Sequence, residues 1–182
     1  MTRGKLYVIS GASGVGKSTV LKNVLNVRPD IRFSVSATTR PPRAGEVEGV
    51  HYYFVTREKF QSMIENDEFV EYDAHMSNCY GTPREQLEDK LSCGDVILDI
   101  EPVGAFNVRA QCPDAVLIFI APPSFEELER RLRSRGDTSD EQIQQRLARA
   151  KWEMEQSAKY DYIVINDRVE TCADKILQII SE

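Results

Sequence analysis

A glycine-rich motif near the start of the chain determines the fold class: Gly11-Ala12-Ser13-Gly14-Val15-Gly16-Lys17-Ser18, with the pattern Gly-x-x-x-x-Gly-Lys-Ser. Glycines allow backbone conformations that are closed to other residues, so the N–H groups of such a loop can converge on a phosphate anion. The lysine adds a mobile positive charge for the β and γ phosphates, and the serine hydroxyl can coordinate Mg²⁺. The stretch therefore predicts a site for a nucleoside triphosphate.

The residues on either side of this phosphate loop predict its structural setting. Residues 5–10 form a short apolar, β-branched run, which is typical of a strand, and residues 18–27 carry apolar side chains at helical spacing. The predicted order is strand, loop and helix. In this order the backbone N–H groups and the helix N-terminus can hold a phosphate together.

Further along the chain, three apolar runs predict buried strands: residues 96–100, Val116–Ala121 and Tyr162–Ile165. These runs are largely continuous rather than alternating, which is typical of a parallel sheet with helices on both faces. Apolar residues at helical spacing between 125 and 154 predict two helices, and residues 170–180 predict the last one.

The predicted fold class is α/β, with a three-layer P-loop NTPase core built on a parallel sheet. The core covers about residues 1–33, 81–123 and 155–182 of a single 182-residue domain. A Tyr-, Phe- and Val-rich segment with many turn residues, about 34–80, predicts a small mixed-β insertion. The two helices within about 124–154 predict a helical lid.

Composition and charge restrict the possible partners. The chain is 41% hydrophobic and 29% charged, as in soluble globular proteins, and its net charge of −6 repels nucleic acid and anionic membranes. Its apolar runs are far shorter than a membrane span, and the first residues lack a signal-peptide stretch. We therefore expect a cytoplasmic protein without nucleic-acid or membrane partners.

The cysteine pattern argues against a structural metal. Four cysteines are widely spaced without a Cys-x-x-Cys pair, and only two histidines could supplement them as ligands. We expect reduced thiols at Cys79, Cys93, Cys112 and Cys172.

A second anion site is predicted near Arg40 and Arg43, which flank a stiff Pro-Pro turn. Guanidinium groups bind phosphate oxygens bidentately, and Tyr52 and Tyr80 could add phenolic donors. A kinase of a small phosphorylated substrate needs such a cationic site for its acceptor. A charged surface turn is the alternative interpretation of the same residues.

Several blocks together resemble the guanylate kinase family over essentially the whole chain. They are GASGVGKST (11–19), SVSATTRPPRAGE (34–46), YYF (52–54), Glu71, YGT (80–82), ILDI (97–100), RRLRSRG (130–136) and IVIND (163–167). The resemblance implies direct in-line transfer of the γ-phosphoryl group of ATP to GMP with Mg²⁺, as part of purine nucleotide metabolism.

The resemblance also implies roles for individual residues. ATP would be contacted by Gly11, Ala12, Ser13, Gly14, Val15, Gly16, Lys17, Ser18, Thr19 and, at the adenine, Asn166. GMP would be contacted by Ser36, Arg40, Arg43, Tyr52, Glu71, Tyr80, Thr82 and Asp99. Ser18 would bind Mg²⁺, with Asp99 as a further ligand through water. The catalytic set would be Lys17, Arg40, Arg131, Arg135 and Arg146.

Chemistry supports the guanine assignment of Glu71. Guanine presents N1–H and an exocyclic amine on its Watson–Crick edge, which a carboxylate can accept, whereas adenine presents an unprotonated N1. In the lid, the apolar stripes leave Arg131 and Arg135 about one helical turn apart, with Arg146 on the next helix. We expect Arg130 and Arg133 to pair with neighbouring acidic residues instead.

The chain departs from the family pattern after Asp99. The family commonly has Asp-x-Asp-x-Gln-Gly there, but this chain has Glu101, Pro102 and Val103 before Gly104. The change removes one backbone donor and one side-chain amide. Cys79 also stands beside Tyr80 where an aromatic residue is frequent.

Two other interpretations of the sequence stay open. One is a P-loop kinase of another phosphorylated acceptor, such as AMP, a pyrimidine nucleotide or a sugar bisphosphate. The other is a non-enzymatic guanylate-kinase-like module that binds phosphopeptides, although the intact phosphate loop argues against it. The sequence allows a monomer or a homodimer.

Overall fold

The computed structural model describes residues 3–75, 77–134 and 139–181, with only the backbone of His75. The predicted site residue Arg135 lies outside the described residues. The chain forms two compact units. Unit 1 comprises the described residues of Met1–Tyr7 and Ile31–Ala115, and unit 2 comprises those of Val8–Asp30 and Val116–Glu182.

The described residues form nine strands and seven α-helices. The strands are β1 Leu6–Gly11, β2 Arg32–Phe33, β3 Ala37–Thr38, β4 Tyr53–Phe54, β5 Phe69–His75, β6 Asn78–Pro83, β7 Val96–Asp99, β8 Val116–Ala121 and β9 Tyr162–Ile165. The helices are α1 Lys17–Val27, α2 Arg57–Glu65, α3 Arg84–Cys93, α4 Pro102–Gln111, α5 Phe125–Arg133, α6 Asp140–Gln156 and α7 Val169–Ile180. A 3₁₀ turn covers Ser157–Lys159.

Five strands form a sheet in the order β2-β7-β1-β8-β9. The pairs β2–β7 and β8–β9 are parallel. Ile97 and Leu98 of β7, and Ile118 and Phe119 of β8, are fully buried, as the continuous apolar runs predict. The predicted α/β fold with a parallel sheet is confirmed.

The prediction that Tyr162–Ile165 is a buried strand is wrong for most of its side chains. Only Val164 is buried, whereas Tyr162, Ile163 and Ile165 are 37%, 50% and 40% exposed. β9 is the last strand in the sheet order, so it has a neighbouring strand on one side only. An apolar run has the same sequence signature at the edge of a sheet as at its centre, and this one lies at the edge.

A second, mixed sheet in the order β4-β3-β6-β5 lies in unit 1, which confirms the predicted mixed-β segment. β6 pairs antiparallel with β3 and β5, and β3 pairs parallel with β4. The register shifts between Phe69 and Glu71. Phe69 packs on Phe60 of α2 with ring centroids 4.6 Å apart, in a buried cluster that also includes Ala37 and Met63.

Helices α5 and α6 of unit 2 begin at the sites that local sequence favours. The Ser124 hydroxyl accepts from Glu127 N at 3.1 Å, and Ser139 forms a reciprocal capping box with Gln142. The buried residues follow the predicted helical spacing: Leu128, Leu132, Ile143, Leu147 and Ala150. One buried residue breaks the pattern, because Glu153 is only 2% exposed.

The four cysteines are free thiols, as expected. Within the described ranges, no helix combines the length and the apolar character needed to cross a membrane.

Candidate active site

The phosphate loop in unit 2 connects β1 to α1 in the predicted order. Gly14 and Gly16 adopt left-handed backbone conformations with φ of 87° and 95°, which other residues rarely adopt. Val15 N donates to Ala12 O at 2.9 Å across the loop. Helix α1 starts at Lys17 without a side-chain cap, and its first turn contains no acidic residue among those described. The positive end of this helix is therefore not neutralised by its own side chains.

Neighbouring elements of unit 2 fix the loop closely. Ala12 N donates to Ile120 O at 3.3 Å. A Cβ atom at Gly14 would lie 2.5 Å from Leu132 Cδ2, and one at Gly11 would lie 2.8 Å from Ile120 O. Glycine is thus required at position 14 for two reasons, the left-handed conformation and the close packing of α5.

Asn166 is a second support of the loop. Its side chain donates from Nδ2 to Val15 O at 2.8 Å, and its backbone N donates to Ala121 O at 2.8 Å. The residue is 2% exposed, and its Oδ1 atom has no hydrogen-bond partner among the described residues. The structure places Asn166 against the phosphate loop, and its contact with adenine stays a prediction.

Arg131 lies beside Asn166. Its Nη1 donates to Asn166 O at 2.9 Å, and its Nε donates to Glu127 Oε1 at 2.7 Å. The guanidinium groups of Arg130 and Arg131 hold the pKa of Glu127 at about 2. Arg130 also pairs with Glu127, while Arg133 pairs with Glu129 and Asp140, as expected of solvent-facing arginines. Arg146 is half-buried on α6.

Glu153 is a site residue that no sequence pattern indicated. Its Oε2 accepts from Ser13 N of the phosphate loop at 2.7 Å, and its Oε1 accepts from Arg149 Nε at 2.8 Å. An acidic residue four positions after an arginine on a helix looks like an exposed ion pair, so spacing alone could not distinguish this buried one.

The predicted acceptor phosphate site lies in unit 1. Arg40 forms a bidentate ion pair with Glu46, in which Nη1 and Nη2 each lie 2.9 Å from a carboxylate oxygen. Glu46 Oε2 also accepts from Arg43 N at 2.7 Å. The Arg40 guanidinium holds the pKa of Glu46 at about 2, and the hydrogen bond from the Arg43 backbone contributes in the same direction. A carboxylate therefore occupies the fork of Arg40, the geometry in which a guanidinium binds a phosphate.

Aromatic side chains surround Arg40. Its Cζ lies 5.4 Å from the ring centroid of Tyr52, and the rings of Tyr52 and Tyr80 have centroids 6.0 Å apart. Burial raises the pKa of Tyr52, and the negative charge of Asp99 raises it further. Ser36 lies one residue before β3, and its backbone oxygen accepts from Tyr53 N at 2.9 Å. Unit 1 thus brings Arg40, Tyr52 and Tyr80 of the predicted set together. Arg43 is linked to Arg40 through Glu46, and Ser36 is bonded to the residue after Tyr52.

The predicted guanine-reading pair is also formed in unit 1. Glu71 and Thr82 face each other across β5 and β6, and Thr82 Oγ1 donates to Glu71 Oε1 at 2.6 Å. Burial raises the pKa of Glu71 to about 7. Gly104 of α4 lies so near that a Cβ atom there would be 2.7 Å from Glu71 Oε2. The family pattern pointed to Glu71 and Thr82 but not to this packing role of Gly104.

The phosphate loop at the end of a parallel strand, with a separate cationic and carboxylate-lined cluster in the mixed sheet, defines a P-loop nucleotide kinase. The guanylate kinase family model matches residues 3–182. The chain belongs to the guanylate kinase family.

Individual relatives agree with this assignment. The guanylate kinase of Synechococcus sp. strain JA-3-3Ab is 52% identical over 176 residues, which cover 96% of this chain and 81% of that protein. A guanylate kinase of Thermus thermophilus is 49% identical over 180 residues, which cover 98% and 81%. The crystal structure of guanylate kinase from Anaplasma phagocytophilum has a TM-score of 0.80 at 37% identity, covering 99% of this chain and 86% of that one.

Proposed function

We propose that this chain transfers the γ-phosphoryl group of ATP to GMP and releases ADP and GDP. The observation that carries the proposal is the combination, in a member of the guanylate kinase family, of an intact phosphate loop and a buried Glu71–Thr82 pair. The loop suits the donor triphosphate. The pair suits the N1–H and amine of guanine, because an oriented carboxylate can accept from both.

For the donor, we assign the loop residues, Thr19 and Asn166 to ATP. Lys17 neutralises the β and γ phosphates, and the backbone N–H groups at the start of α1 complete the cradle. Arg131 and Arg146 stabilise charge on the transferring group, and we keep Arg135 in this set from the sequence. Such arginines can contribute about 10³ to 10⁵ in rate.

Mg²⁺ bound with ATP fits the donor site. Ser18 follows Lys17 in the first turn of α1 and is exposed, so its hydroxyl is available as the kind of oxygen ligand that Mg²⁺ accepts beside phosphate oxygens. Ser18 would hold the ion, with Asp99 contributing through water. The ion supplies neutralisation of the charge that spreads over the transferring phosphoryl group.

For the acceptor, we assign the GMP phosphate to Ser36, Arg40, Arg43, Tyr52 and Tyr80, and the base to Glu71, Thr82 and Asp99. Glu46 leaves the fork of Arg40 when the substrate phosphate takes its place. The phosphate monoester has its second pKa near 6, so its oxygens are mostly ionised at neutral pH and need no general base. Catalysis then consists of alignment and of neutralising two anions.

We retain the division into a core, a GMP-binding insertion at about 34–80 and a lid at about 124–154. The proposed acceptor residues from Ser36 to Tyr80 fall within this insertion, and Arg131, Arg135 and Arg146 fall within the lid. We place the enzyme in the cytoplasm as a monomer or homodimer, with ATP and GMP as its partners. The net charge of −6 disfavours nucleic acid.

An acceptor panel tests this function. Purified protein with Mg-ATP is assayed for ADP release with GMP, AMP, CMP, UMP or a sugar phosphate as acceptor. We expect GMP to be favoured over AMP in kcat/KM by about 10³ or more, because a buried carboxylate facing adenine N1 is left without its donor. A preference for AMP or a sugar phosphate would support another kinase class. Phosphopeptide binding without ADP release would support the non-enzymatic module.

A further inference from the structure

The carboxylate of Glu153 on α6 is buried against the phosphate loop. Its side chain is 3% exposed, and both of its oxygens have partners, Ser13 N at 2.7 Å and Arg149 Nε at 2.8 Å. Acidic side chains are rarely this deeply buried unless they are paired, because desolvating a charge is costly. Here the pairing joins helix α6 to the third residue of the phosphate loop.

The loop needs such an anchor. It contains three glycines in six residues, and glycine loses more backbone conformational freedom on ordering than any other residue. The structure holds it at Ala12 through Ile120 O and at Val15 through Asn166, both near 3 Å. The Ser13 N–H lies between these two anchors in sequence and is held by Glu153. The Ser13 peptide directly precedes Gly14, which adopts the left-handed conformation.

The charge of this anchor needs a counter-ion. A lone carboxylate beside a triphosphate site would repel the ligand, and a buried pair broken on one side leaves an uncompensated charge. Arg149 lies one helical turn before Glu153 on α6 and neutralises it. The two residues therefore act together, with Glu153 supplying the hydrogen bond to the loop and Arg149 cancelling its charge.

We propose that Glu153 and Arg149 are positioning residues that fix the phosphate loop at Ser13 in the conformation that binds the donor triphosphate. The pair acts through the loop and does not contact the reacting atoms. This inference rests on the proposed role of the loop in binding ATP. It implies that the affinity for ATP depends on a contact with α6, which lies outside the phosphate-loop motif.

The first test is Glu153→Ala, with Glu155→Ala as the matched control because Glu155 is exposed on the same helix. Calorimetry with a non-hydrolysable Mg-ATP analogue gives the Kd, steady-state kinetics give KM for both substrates, and Tm reports folding. We expect Glu153→Ala to weaken the analogue at least about tenfold while KM for GMP stays within twofold. If Glu153→Ala lowers the Tm but leaves the Kd of the analogue unchanged in the folded protein, the pair only stabilises the fold. That result would overturn the proposal.

The second test separates charge from hydrogen bonding. Arg149→Met leaves the Glu153 carboxylate without its counter-ion, so analogue binding should weaken. Adding Glu153→Gln to Arg149→Met keeps an acceptor for Ser13 N–H without the charge, so binding should recover most of the loss. If the double variant binds the analogue no more tightly than Arg149→Met alone, the proposed neutralisation of Glu153 by Arg149 is contradicted. If the unmodified protein itself fails to bind the analogue, the donor site is wrong, whereas normal binding with an unaffected Glu153→Ala variant rejects only this inference.

Discussion

Thr82 donates its hydroxyl hydrogen to Glu71 Oε1 across 2.6 Å, and both residues are buried where β5 and β6 pair. The bond fixes the orientation of a carboxylate that has little access to solvent. A buried acceptor of this kind is stabilised when a ligand brings donors to it, and it is unfavourable when the ligand brings a lone pair. In the proposed reaction we therefore expect the pair to favour guanine over adenine.

Replacing Glu71 with glutamine tests this interpretation directly. Glu71→Gln should lower kcat/KM for GMP by an amount equivalent to about 1–3 kcal/mol, because the amide cannot accept from both donors of guanine. KM for ATP should stay within twofold. Glu85→Gln, an exposed position on α3, is the control. Unchanged GMP kinetics in Glu71→Gln would mean that guanine is recognised by other residues.

The pH dependence of GMP binding should follow the ionisation of Glu71. Burial raises the pKa of its carboxyl to about 7, so the group gains a proton as the pH falls through 7 and can no longer accept from both donors of guanine. From pH 8 to pH 6 the ionised fraction falls about tenfold, and kcat/KM for GMP should fall by about the same factor. The Glu71→Gln variant still reports titration of the GMP phosphate. If it shows the same drop as the unmodified enzyme, Glu71 is not the titrating group.

Gly104 should affect GMP binding without contacting the phosphate site. Alanine is a better helix former than glycine, but its Cβ would lie 2.7 Å from Glu71 Oε2 and displace that carboxylate. Gly104→Ala should raise KM for GMP several-fold with little change in Tm. Val103→Ala, at a position 39% exposed on the same helix, should leave KM unchanged. Equal GMP affinities for Gly104→Ala and the unmodified protein would show that the Glu71 position is not critical.

Replacing Lys17 should impair the donor site and leave the acceptor site intact. Lys17→Ala should reduce kcat by at least about a hundredfold, because the lysine neutralises the ATP phosphates during transfer. Calorimetry should still detect GMP binding with a Kd close to that of the unmodified protein. Lys22→Ala changes an exposed lysine on the same helix and should have little effect. Full activity in Lys17→Ala would reject the assigned role of the phosphate loop.

Features with local sequence signatures could be predicted well. The order of β1, loop and α1 follows from an apolar run, glycines and helical spacing, and β8 has the predicted bounds Val116–Ala121. The mixed sheet follows from aromatic and β-branched residues between turn residues. In unit 1 the family pattern also pointed to Arg40, which lies beside Glu46 and Tyr52, and to Glu71, which is bonded to Thr82.

Features that depend on distant contacts could not be predicted. Asn166 binds Val15 across 151 positions of sequence, and Glu153 binds Ser13 across 140. Neither contact leaves a local pattern, because an asparagine after a strand and a glutamate on a helix are ordinary surface residues. The exposure of Ile163 could not be predicted for the same reason, because it depends on the position of β9 at the edge of the sheet.

In the proposed reaction, the chain binds ATP at its phosphate loop and GMP at the residues around Arg40 and Glu71, and the γ-phosphoryl group passes directly from ATP to the GMP phosphate. The most direct measurement is chromatographic quantification of GDP after the purified protein is mixed with Mg²⁺, ATP and GMP. We predict that GDP and ADP form in equal amounts and that neither forms when GMP is omitted. An absence of GDP from correctly folded protein, or ADP release that is independent of GMP, would contradict direct transfer.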